Sequence, residues 1–184
     1  MRLLCLHGYS MDGDLLRRKL GALRKAFNKD YEFIFINGPF KAEETGLAFW
    51  RPNGNVASDI DQSLVYIHDY IQNHGPFDGV IGFSQGSSVI TLYQSKYNVQ
   101  FKVAVTISAS QIVSKLTMDT LNTINTPCLH ICGVNDDICP SELSLQYMTR
   151  AYSKLTVYKH NGAHGIPLDK ESKLYFKQFI VNLL

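Results

Sequence analysis

At residues 82–86 the chain reads Gly-Phe-Ser-Gln-Gly, after an apolar run and before a stretch of small residues. A serine between two such glycines suits a very tight strand-to-helix turn, because glycine on either side keeps side chains from colliding with neighbouring backbone. The Ser84 hydroxyl would then stand exposed at a helix N-terminus, where free N–H groups and the helix dipole favour negative charge. Serine is a poor nucleophile at neutral pH and needs a base. A histidine held in the right tautomer by a carboxylate supplies one. Downstream the chain offers Asp136 in Gly133-Val134-Asn135-Asp136-Asp137, and His164 in His160-Asn161-Gly162-Ala163-His164-Gly165. Together the three residue types are those of acyl transfer through a covalent serine intermediate.

Two positions have rivals. Asp137 adjoins Asp136, but Asp136 is nearer the preceding apolar run and stands four residues before Pro140, where a helix would start. His160 competes with His164, yet it lies at the end of a strand-like run, while His164 sits in a glycine-flanked loop free to reach inward. His7, in Leu6-His7-Gly8-Tyr9-Ser10, is read as fixing its own loop. Gly8 lets that backbone turn so that the Tyr9 N–H becomes one donor to an oxyanion and the Gln85 N–H the other. His68, His74 and His130 have no comparable setting.

The elements that must position these residues alternate. Short β-rich runs occur at 2–6, 32–36, 78–83, 102–108, 127–132 and 155–159, nearly continuous in apolar residues as parallel strands covered on both faces are. Apolar residues recur at helical spacing in 14–28 (Leu16, Leu20, Leu23, Phe27) and in 59–73 (Ile60, Leu64, Ile67, Ile71), the latter with Ser58 or Asp59 as cap. Further helices are expected at 85–96, 141–152 and 170–183, with a short helix or irregular crossover over 110–124. This order predicts one α/β domain over 1–184, with a mostly parallel sheet of about six strands and helices on both faces. His7, Ser84, Asp136 and His164 each follow a separate strand, so all would gather at the carboxyl edge of the sheet, where such folds bind ligands. Ser, Asp, His is also the chain order in which α/β hydrolases supply a triad.

Composition excludes several other readings. With 184 residues, 45% of them apolar, the chain can bury a sizeable core. A net charge of +2 and scattered Lys and Arg, densest at 17–19, give no basic stripe for nucleic acid. No run approaches the ~20 apolar residues of a membrane span, and the N-terminal run is too short for a signal peptide, so a cytoplasmic protein is expected. The four cysteines are read as reduced and mostly core. Cys128 and Cys132 share a face of their strand, and His130, assigned to the opposite face, does not complete a zinc pattern. No metal or organic cofactor is required.

The segments "LCLHGYSMDG", "GPFDGVIGFSQGS", "GVNDDICP" and "HNGAHGIP" resemble the FSH family of serine hydrolases, a compact branch of the α/β-hydrolase superfamily. The resemblance runs from residue 2 to about 180 and extends to "LAFWRPNG" around Trp50. It implies Ser84 as nucleophile, Asp136 as carboxylate, His164 as base, and the Tyr9 and Gln85 amides as oxyanion donors. It also implies hydrolysis of small-molecule carboxylic esters with short or medium acyl chains. A thioesterase acting on acyl thioesters is the alternative, and a non-catalytic binding protein on the same fold a more distant one. Residues 40–57 are the candidate pocket wall, with Phe49 and Trp50 as candidate acyl-pocket residues and plain core packing as the alternative for Trp50.

Overall fold

In the computed structural model, residues 1–27, 29–110 and 121–184 are described. Six parallel strands form the sheet: β1 Arg2–Leu6, β2 Glu32–Ile36, β5 Gly79–Phe83, β6 Val103–Ile107, β7 Cys128–Gly133 and β8 Leu155–His160. They lie in the order β2-β1-β5-β6-β7-β8. The chain steps outward from β1 to β2, returns to pair β5 on the other side of β1, and then proceeds in one direction to the β8 edge. The reversal lies between β1 and β5, where the connections leave a crevice beyond the strand ends.

Side-chain alternation divides each strand between two cores. Leu3, Cys5, Ile81, Val103, Val105 and Leu129 pack on one face against Leu16, Leu20, Leu23, Phe176 and Ile180. These come from α1 Gly13–Lys19, α2 Gly21–Arg24, Leu20 at the joint between them, and the last helix, α6 Lys170–Val181. Leu4, Leu6, Val80, Ala104 and Cys128 face the other way, onto Ile60, Leu64, Ile67, Val89, Tyr93, Tyr147 and Met148. That layer is α3 Val56–His74, α4 Gln85–Tyr97 and α5 Ser141–Ala151. No helix among the described residues is long and apolar enough to cross a membrane.

Several elements differ from the sequence reading. The expected helix over 14–28 is two: Asp12 caps α1 by accepting from the Leu15 N–H at 2.6 Å, and the helix ends at Leu20, ahead of the poor helix former Gly21. Helix α3 starts three residues early, capped by Asn55 through a 3.2 Å bond from the Ser58 N–H. The Asp59 carboxylate is occupied instead by the Arg51 backbone and guanidinium. Residues 40–48 hold an unforeseen antiparallel hairpin, β3 Phe40–Lys41 with β4 Leu47–Ala48. Two-residue strands carry no period-two signal. Most of the expected 110–124 segment lies outside the described residues.

His130 is a further correction. Residues two apart on a strand share a face, so His130 projects with Cys128 rather than away from it. Thr106 on the adjacent strand lies 3.6 Å from Cys128 Sγ and 2.9 Å from His130 Nδ1, and the Ser144 hydroxyl lies 3.0 Å from His130 Nε2. Burial lowers the His130 pKa to about 4, keeping a neutral ring in this polar pocket of the core. All four cysteines are buried and unpaired.

Candidate active site

Strand β5 runs directly into α4 through Ser84, whose backbone adopts φ 52° and ψ −117°. A non-glycine residue there is strained by about 1–3 kcal/mol, and it persists only where its surroundings fix it. Several contacts do so. The Ser84 N–H donates to the Ile107 carbonyl at 2.8 Å. Ser87, one turn into α4, accepts from the Ile107 N–H and donates to the same carbonyl, both at 2.9 Å. A Cβ on Gly82 would sit 2.5 Å from the Ser87 backbone, and one on Gly86 would overlap the Leu6 carbonyl and approach the His7 carbonyl oxygen to 2.7 Å. The glycines at 82 and 86 thus let α4 press onto the ends of β5 and β1.

Three side chains distant in sequence meet at this turn. Ser84 Oγ lies 3.1 Å from His164 Nε2, and His164 Nδ1 lies 2.8 Å from Asp136 Oδ2. The carboxylate can only accept from Nδ1–H, so the tautomer leaves Nε2 free to take the serine proton. The other Asp136 oxygen accepts from the Cys139 N–H at 2.7 Å and the Ile138 N–H at 3.0 Å, in a turn that winds around the carboxyl group. Burial works to raise the Asp136 pKa, but the bonds from Cys139 and then His164 outweigh it and hold the group below its ordinary value. The Asp136 side chain is 0% exposed and that of His164 14%. Ser84 is 9% exposed, so the relay is largely buried and its carboxylate end is sealed.

The rivals stand elsewhere. Asp137 is exposed. His160 ends β8, and its Nδ1 accepts from the Gly162 N–H at 3.1 Å, so it organises the loop that carries His164. Phe83 was not anticipated: its ring lies 5.2 Å from the His164 ring and would touch a Cβ on Gly8, so it fills the space between His164 and the β1 loop.

In that loop His7 is buried, with Nδ1 2.7 Å from the Gly8 carbonyl oxygen and Nε2 accepting from the Gly38 N–H at 2.8 Å. Burial lowers its pKa, which keeps the ring neutral and able to accept at Nε2. Tyr9 follows Gly8, and Gln85 opens α4, where first-turn amides have no intrahelical acceptor. Phe49 and Trp50 depart from the sequence expectation. They are 0% and 1% exposed and belong to the core beside α3 and α4, so they back the site rather than line an open acyl pocket. Among the described residues no cluster of His, Cys, Asp and Glu could hold a metal ion.

Residues 1–175 match the model of the FSH1 serine hydrolase family. The chain belongs to this family. It is 31% identical to Esterase CG5412 of Drosophila melanogaster, across all of this chain and 75% of the fly protein. It is 28% identical to Esterase C25G4.2 of Caenorhabditis elegans, across 91% of this chain and 86% of the other. Among solved structures it superposes on SOBER1 of Arabidopsis thaliana with a TM-score of 0.76 at 15% identity, covering 99% and 98% of the two chains. For a Bacillus cereus carboxylesterase the TM-score is 0.74 at 18% identity, with 97% and 87% covered. At such identities the superpositions speak to the α/β-hydrolase fold, while the family match identifies a serine hydrolase.

Proposed function

We propose that this serine hydrolase cleaves carboxylic esters of short to medium acyl chains through an acyl-enzyme on Ser84. The continuous relay from Asp136 through His164 to Ser84 carries the reading. As Ser84 Oγ attacks the ester carbonyl carbon, His164 Nε2 takes its proton. Asp136 keeps Nδ1–H in place and stabilises the imidazolium that forms. The carbonyl oxygen becomes an oxyanion facing the Tyr9 and Gln85 N–H groups. Collapse of the tetrahedral species breaks the bond to the alcohol, which leaves with the proton from His164. Water then enters, gives its proton to the same nitrogen, and releases the acid and free Ser84.

The relatives named as esterases support the ester, and nothing in the comparisons favours the thioester alternative. A receptor would have no use for the complete relay. Four buried, unpaired thiols support a reducing, cytoplasmic setting, with residues 1–184 acting as one domain. The test is hydrolysis of p-nitrophenyl esters of increasing chain length by the wild type and Ser84→Ala. Wild-type turnover should peak at short to medium chains, and the variant should lose about 10,000-fold or more in kcat. Undiminished turnover in Ser84→Ala would overturn the assignment.

A further inference from the structure

The Gln85 side chain is nearly as buried as the core around it, yet it is a primary amide with both ends engaged. Its Oε1 accepts from the Phe49 N–H at 2.8 Å, and its Nε2 donates to the Trp50 carbonyl at 2.7 Å. It therefore clamps the bend at residues 49–50 from one side. The stretch it holds is fixed from α3 as well. Ser63 Oγ donates to the Phe49 carbonyl at 2.5 Å, and the Asp59 carboxylate accepts from the Arg51 N–H at 2.9 Å. Four backbone groups of residues 49–51 are thus taken by three side chains, although these residues pair with no strand of the main sheet.

At its other end the same stretch reaches the β1 loop. The Gly38 N–H donates to His7 Nε2, a Cβ on Gly38 would lie 2.5 Å from the Ala48 carbonyl carbon, and the Phe49 ring is 5.0 Å from the His7 ring. Residues 38–50 form a strap that touches both loops bearing the oxyanion donors, His7 two residues before Tyr9 and Gln85 through its own side chain. An oxyanion hole works only if its donors are already aimed at the position the oxygen will take.

We propose that the Gln85 carboxamide is a positioning residue: through the Phe49–Trp50 backbone it orients the Gln85 N–H against the His7–Tyr9 loop. This rests on the Ser84 acyl-enzyme reading. The position of the alkoxide changes between ground state and transition state, so misaiming the donor weakens the second more than the first. In Gln85→Leu, which removes both bonds, kcat should fall about 10- to 100-fold, short of the loss of a whole donor. KM should stay within about twofold, because binding common to both states is untouched. Affinity for a boronic acid, a tetrahedral mimic, should fall by the same factor as kcat.

Ser63→Ala loosens the strap from α3 without touching Gln85, and should show the same pattern more weakly; it stands in if Gln85→Leu does not fold. Wild-type kcat in the folded variants would overturn the proposal, as would a loss confined to KM or boronate affinity that does not follow kcat. If Ser84→Ala is inactive while Gln85→Leu turns over normally, only this inference fails. If Ser84→Ala is fully active, the acyl-enzyme reading itself fails.

Discussion

Ser84 and His164 are held by two unlike halves of the site. Ser84, Gln85 and His7 follow β5 and β1, interior strands with a packed layer on each face, and all three are buried. Helix α4 meets the ends of these strands backbone to backbone, with no room for a methyl group at Gly86. His164 instead lies four residues past the end of β8, the edge strand, in a loop where a Cβ on Gly165 would meet nothing within 4 Å. Asp136 links the halves, its carboxyl sealed by its own turn while its neighbours Asp137 and Ile138 face solvent. Backbone strain sits where packing over-determines it. Under the proposed mechanism the imidazole exchanges protons with serine, alcohol and water, and it stands where it can be reached.

The largest effect that sharpens this contrast concerns the link. Asp136→Asn should lower kcat by about 10,000-fold, since an amide can donate to Nδ1 and favour the wrong tautomer. Asp137→Asn, one residue away and exposed, should stay close to wild type in the same ester assay. Equal losses would mean that the turn, rather than the carboxylate, is what matters. A smaller effect separates the halves by stability. Gly86→Ala forces a methyl group into the Leu6 and His7 backbone and should cost about 2–3 kcal/mol in denaturant unfolding. Gly165→Ala should change stability by less than about 0.5 kcal/mol. If the two substitutions cost the same, the contrast between a rigid and an open half would be broken.

Much of this arrangement is legible in the sequence. The apolar runs fix the interior strands β1, β5, β6 and β7, which are covered on both faces, and mark the less covered edge strands β2 and β8 as well; the loops after four of the six carry the polar residues that converge. The glycines around Ser84 announce a close approach, although only the fold reveals that Leu6 and His7 are what α4 approaches. The strap is illegible for a physical reason: Gln85 bonds a backbone about 35 residues away, and backbone groups have no residue type to read. Phe49 and Trp50 are equally apolar whether they line a pocket or fill a core, and burial alone decides it. At the start of α3, Asn55, Ser58 and Asp59 are all good caps by type; Asn55 takes the role because Asp59 is held by Arg51. The Asp136 turn does leave a trace, an acidic residue three positions before the amide it accepts from, in a stretch that ends in proline.

The claim on which the rest depends is that Ser84 is the residue that becomes covalently acylated. Treating the protein with a fluorophosphonate and locating the adduct by peptide mass spectrometry tests it directly. A single adduct on the peptide carrying Gly82-Phe83-Ser84-Gln85-Gly86, absent in Ser84→Ala and much slower to form in His164→Ala, is the expected result. An adduct on any other residue, or unchanged labelling of Ser84→Ala, would contradict it.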